Sequence, residues 1–94
     1  MIKHVRIEIR YCTKCRWLLR AAWIAQEILT TFEDKIDEVA LVPDTEQGGI
    51  FDIAVNSNII WSRSVKKRFP EAKEFKSLVR DIISPEMNLG HIDR

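Results

Sequence analysis

Cys12 and Cys15 are the two cysteines of the chain, and they stand as Cys12-Thr13-Lys14-Cys15 between a segment with strand periodicity and one with helical periodicity. A helix start leaves backbone N–H groups unpaired and carries the positive end of the dipole, so a thiol there ionises more readily. Arg10, Lys14 and Arg16 add positive charge nearby. The thiolate is the nucleophile in disulfide exchange, and a second thiol three residues on lies within reach to resolve a mixed disulfide. Zinc needs about four ligands. Beyond the two thiols the chain offers His4 and His91, isolated at opposite ends, so no metal is expected.

The elements that must position this motif follow from periodicity. Val5, Ile7, Ile9 and Tyr11 alternate with His4, Arg6, Glu8 and Arg10, the period of a strand with one buried face. From Trp17 the spacing changes. Trp17, Leu18, Ala21, Ala22, Ile24, Ala25, Ile28, Leu29 and Phe32 form one stripe at helical period, predicting a helix over roughly residues 13 to 34. Leu19 and Trp23 miss that stripe and are expected to pack on the second helix or on a partner chain. Residues 38–42 read as a short strand closed by Pro43-Asp44. The loop 44–49 leads into a strand over 50–55, and Asn56-Ser57-Asn58 turns it into another over 59–62. Pro70 suits the first turn of a second helix, whose core stripe is Ala72, Phe75, Val79, Ile82 and Ile83 and which Ser84-Pro85 stops; residues 86–94 read as an irregular tail. The order β-α-β-β-β-α predicts one thioredoxin-like α/β domain over residues 1–94. It is a two-layer sandwich with a four-stranded mixed sheet and both helices on one face.

Ninety-four residues bury only about 60–65% of the surface the unfolded chain exposes, so any chemistry sits near the surface. Residues 1–20 hold six basic side chains against Glu8, whereas residues 27–52 hold eight acidic ones against Lys35. A second basic cluster spans Arg63 to Arg68. Without interleaved aromatics or a reading helix this asymmetry does not predict nucleic-acid binding. No apolar run approaches the ~18 residues of a membrane span, no leader pattern opens the chain, and two cysteines do not staple a secreted scaffold. The expected compartment is the cytoplasm.

Several blocks together resemble the bacterial branch of the selenoprotein W-like Rdx family: Val5 through Cys15, Gly48-Gly49-Ile50-Phe51-Asp52, Ile60-Trp61-Ser62-Arg63, Phe69-Pro70-Glu71-Ala72-Lys73, Val79-Arg80-Asp81 and Leu89-Gly90-His91. The resemblance covers nearly the whole chain. It implies a thioredoxin-like fold and a thiol-based redox role with glutathione as the small-thiol co-substrate. In some members the second motif position, Cys15 here, is selenocysteine. The basic stretch Ser64 to Arg68 departs from the acidic, glycine-rich pattern expected there. No proline precedes the third strand, where thioredoxins hold a cis-proline against the active site. Gly48-Gly49 is expected to fill that place with bare backbone.

The expected site is therefore Cys12 and Cys15 as the redox pair. Thr13, Lys14, Arg10 and Arg16 support it, Gly48 and Gly49 form the substrate loop, and Leu19 and Trp23 form a partner patch. Cys12 is taken as the attacking thiol, nearest the helix cap and the more exposed, and Cys15 as its partner. Arg10, Arg16 and Arg20 are available to meet carboxylates of glutathione or of an acidic partner. The function expected is thiol–disulfide oxidoreduction on glutathione or protein thiols and disulfides, with no bound cofactor. The alternative is a non-catalytic, redox-switched interaction module, as a dimer or with another protein.

Overall fold

The computed structural model describes residues 4–90; the predicted roles of His91 and of the tail beyond Gly90 lie outside them. Four strands, β1 (Arg6–Cys12), β2 (Glu38–Asp44), β3 (Phe51–Val55) and β4 (Asn58–Ser62), form one sheet in the order β2-β1-β3-β4. β1 runs parallel to β2 and antiparallel to β3, and β3 pairs antiparallel with β4. The helices are α1 (Leu18–Thr31), the single turn α2 (Arg63–Lys66) and α3 (Ala72–Ile83). This is the expected mixed four-stranded α/β sandwich, with one short helix that the sequence pattern did not reveal.

Alternation in β1 and β3 builds the core. Ile7, Ile9, Phe51 and Ile53 are fully buried against Ile24, Ile28 and Phe32 of α1 and its cap and Phe75 and Val79 of α3. Each contributes about 1.5–3 kcal/mol of transfer free energy. The opposite sheet face stays open and is stitched by charge: Arg6 pairs with Glu8 at 2.9 Å and Glu38 at 3.5 Å, and Arg10 with Glu8 at 3.3 Å and Asp44 at 3.7 Å. The basic surplus of the first strand is thus offset laterally by the acidic stretch that pairs with it.

Three boundaries differ from expectation. β2 continues through Pro43 to Asp44, since it is an edge strand bonded only to β1 and a missing N–H on its outer side costs nothing. Pro70 lies ahead of α3 rather than in its first turn. Glu71 occupies the cap, and the Glu74 carboxylate accepts the Glu71 N–H at 2.8 Å. The predicted start of α1 at residue 13 is corrected to Leu18, because the apolar stripe itself begins at Trp17 and Arg16 adopts a left-handed φ of 60° that no helix continues. Between α3 and Gly90 the described chain forms no further helix or strand, but Leu89 is buried and anchors it to the core. Among the described residues no helix is long and apolar enough to cross a membrane.

Candidate functional site

Because β1, β2 and β4 run in one direction and β3 in the other, the ends of β1, β2 and β4 and the start of β3 meet at one edge of the sheet. That edge carries Cys12, Asp44, Phe51 and Ser62, and the loops issuing from it carry Thr13–Trp17, Gly48–Gly49 and Arg63. Topology alone therefore gathers the motif, the glycine loop and a basic residue from the far end of the chain.

Cys12 ends β1, and its N–H donates to the Ile50 carbonyl at 2.9 Å, carrying the ladder one rung past β3. A turn follows: the Arg16 N–H donates to the Thr13 carbonyl at 3.0 Å, and the Thr13 N–H and hydroxyl both donate to the Asp44 carbonyl, at 3.1 and 3.2 Å. The Asp44 carboxylate accepts the Gln47 and Glu46 N–H groups at 2.7 and 2.9 Å, which lowers its pKa and holds the 44–49 loop against the motif. Within the turn the Cys15 N–H donates to the Cys12 sulfur at 3.2 Å.

These contacts split the thiols. The Cys15 thiol donates to the Cys12 sulfur, and this hydrogen bond is the main reason that the Cys12 pKa falls and the Cys15 pKa rises. The N–H groups of Gly49, Cys15 and Lys14 also favour a thiolate on Cys12, against the cost of burial. Charge is therefore held on Cys12 first by the Cys15 thiol and then by local N–H groups, rather than by the end of α1, which begins three residues beyond Cys15. Exposure corrects the sequence reading. Cys12 is buried, at 1% exposure, whereas Cys15 is part-exposed, because the turn folds Cys15 over Cys12. The two properties of a nucleophile, charge and access, are thus held by different sulfurs.

Gly49 has φ +81° and directs its N–H toward the cysteine pair, a backbone conformation that glycine adopts at least cost. A Cβ on either Gly48 or Gly49 would meet no atom within 4 Å, so space remains open beside the loop. No cis peptide bond occurs among the described residues. Arg10 is spent on its ion pairs across the open sheet face, whereas Lys14 and Arg16 are exposed. Trp23 meets Phe75 of α3 edge-on at 5.7 Å, which gives it the helix partner expected; Leu19 is 83% exposed. His4 lies at the other end of β1, beside Asp37 and Glu38. No cluster of three or more metal-ligating side chains occurs among the described residues.

Sequence reasoning missed one group. Trp17 meets Phe51 and Phe69 edge-on, at 6.1 and 4.9 Å, and Phe51 meets Phe69 at 5.0 Å. The Arg63 guanidinium stacks over Trp17 and Phe69 at 4.8 and 5.1 Å, Arg20 covers Phe69 at 4.1 Å, and the Arg63 charge favours the Cys15 thiolate. Nothing in the local pattern places Arg63 there, since it counts only as part of a basic run until the sheet order is known.

The family model described as "Rdx family" matches residues 6–81. A crystal structure of a protein from Bordetella parapertussis is 56% identical, with a TM-score of 0.79 over 83% of this chain and 96% of that one. The selenoprotein W-related protein from Vibrio cholerae is 50% identical, with a TM-score of 0.82 over 87% of this chain and all of that one, at 100%. No curated protein matches the chain.

Proposed function

The chain belongs to the redox-related Rdx family, as a bacterial selenoprotein W-like member, and on that premise we propose that it is a thiol–disulfide oxidoreductase whose working pair is Cys12 and Cys15. The observation that carries the reading is the turn in which the Cys15 N–H donates to the Cys12 sulfur at 3.2 Å, with Cys12 favoured as thiolate and Cys15 part-exposed.

The pair holds one proton in its reactive form. As a substrate disulfide approaches the accessible side, Cys15 passes its proton across the hydrogen bond to Cys12 and attacks one substrate sulfur. The substrate S–S bond breaks, a Cys15 mixed disulfide forms, and the first substrate thiolate leaves. That thiolate takes the proton from Cys12, which then attacks the Cys15 sulfur. The second substrate thiolate leaves and the Cys12–Cys15 disulfide remains. The substrate is reduced by two electrons and the protein oxidised by two. Two glutathione molecules, or one dithiol protein, return it to the dithiol. Such a cycle belongs in a reducing compartment, the cytoplasm. It requires no bound cofactor.

The test is a titration of the reduced protein against a series of glutathione buffers, with thiol content and intact mass read at each ratio. A reversible intramolecular disulfide, or a defined glutathione adduct at Cys15, supports the reading. Thiols that stay reduced and unmodified throughout overturn it, make the Cys-x-x-Cys motif structural and put an interaction module in the lead.

A further inference from the structure

Seven arginines lie among the described residues, and they divide by position. Arg6, Arg10, Arg68 and Arg80 each face a carboxylate of this chain. Arg16, Arg20 and Arg63 have no such partner among the described residues, and all three stand around the cysteine turn. Arg20 and Arg63 are not loose charges. The Arg20 guanidinium lies over the Phe69 ring and that of Arg63 over both Trp17 and Phe69, which holds them without neutralising them, and Arg63 Nε is buried with no hydrogen-bond partner. A stacked guanidinium keeps its in-plane donors free, and those donors match the two oxygens of a carboxylate.

We propose that Arg63 and Arg20, seated on Trp17 and Phe69, form a carboxylate-binding shelf beside Cys15, selecting disulfides that carry an acidic group close to the sulfur. This rests on the oxidoreductase reading and adds the substrate class. The carboxylate comes either from a small thiol such as glutathione or from an acidic residue next to a protein disulfide, and the shelf serves the same chemistry in both.

The test compares rates at which the fully reduced protein is oxidised by dithiodipropionate, which is anionic, and by hydroxyethyl disulfide, which is neutral and of similar size. Their intrinsic difference is corrected with a free thiol. The expected anionic-to-neutral ratio is about tenfold, the factor for one charge-assisted contact, and falls with added salt. In Arg63→Gln and Arg20→Gln the ratio collapses toward one. Because it is a ratio, it is insensitive to any general effect of Arg63 on Cys15 reactivity, and Arg20→Gln on an exposed side chain keeps the test open if Arg63→Gln unfolds. A wild-type ratio near one, or one that survives both substitutions, overturns the shelf while the neutral disulfide still reports oxidoreduction. Failure of every disulfide to oxidise the protein overturns both. Glutathione disulfide and the disulfide of an acidic cysteine peptide form two further arms, and whichever shows the larger loss on Arg63→Gln identifies the source of the carboxylate.

Discussion

The Cys15 backbone N–H donates to the Cys12 sulfur at 3.2 Å, so the turn that exposes one sulfur is the same turn that covers and charges the other. Access then decides which thiol is trapped. Cys12→Ser keeps the part-exposed Cys15 and removes the resolving thiol, and is expected to accumulate a stable mixed disulfide with a small disulfide. Cys15→Ser leaves a buried sulfur and is expected to form its adduct on the order of tenfold more slowly. Intact-mass time courses of the two variants make the comparison, and faster capture by Cys12 would reverse the assigned order of attack.

Charge on Cys12 depends first on the Cys15 thiol and then on N–H groups of Gly49, Cys15 and Lys14. Removing the thiol donor by Cys15→Ala is expected to raise the Cys12 pKa toward the ordinary thiol value of 9.0. The thiolate absorption in the ultraviolet, followed against pH, then shows a midpoint higher than the first step of the wild-type pair. That first step belongs to both sulfurs together until the variant separates them. An unchanged midpoint would assign the shift to the backbone groups alone.

How far the site was legible in sequence follows from the range of each contact. Cys12 and Cys15 are three apart and declared themselves, as did the alternation of Ile7 and Ile9 and most of the stripe from Trp17 to Phe32, although Leu18 and Leu29, counted in it, are 48% and 42% exposed. The exposure of the two sulfurs did not, because it turns on a single left-handed residue, Arg16, which no composition rule singles out. Arg63 and Phe69 reach Trp17 only because β4 lies two strands from β1 and runs the same way. The departure at Ser64 to Arg68 likewise became readable once the fold was known: a one-turn helix closed by Lys67 at φ 65° brings Arg68 onto Glu74.

That Arg68–Glu74 contact has a defined pH window. Both guanidinium nitrogens reach the carboxylate, at 2.7 and 2.5 Å, and with the Glu71 N–H they pull the Glu74 pKa from 4.5 down to about 2. A depressed carboxylate pKa contributes stability above the unfolded value, and that contribution is lost as pH falls through the folded one. Glu74→Gln is therefore expected to lower the melting temperature at pH 7. Its deficit shrinks between pH 4.5 and about 2 and vanishes below. Melting curves of the two proteins across that range check it; a deficit that persists below pH 2 would assign the cost to packing.

Lys76 is 2% exposed on α3 and pairs with Glu27 of α1 at 2.9 Å, so a long side chain bridges the two helices over the core. Its methylenes and its charge are separable. Lys76→Met keeps the volume and discards the ion pair, which for buried pairs is often neutral, and is expected within about 1 kcal/mol of wild type. Lys76→Ala removes both and is expected to cost roughly 2–3 kcal/mol. Urea unfolding of both variants decides it. Equal losses would make the charge, rather than the fill, the stabilising part.

Leu19 and Trp23 lie one helical turn apart on α1 and yet differ in what holds them. Trp23 rests edge-on against Phe75, an aromatic pair worth about 0.5–1.5 kcal/mol beyond its buried area. Leu19, 83% exposed, touches nothing comparable, and Leu18 beside it is 48% exposed. Trp23→Ser is accordingly expected to lower stability by about 2 kcal/mol, whereas Leu19→Ser is expected to change it by no more than about 0.5 kcal/mol while raising solubility. Denaturation midpoints and the concentration at which each variant precipitates give the two readings independently. A destabilised Leu19→Ser would mean that the side chain is covered in solution, and sedimentation of the wild type would then show the second copy that covers it.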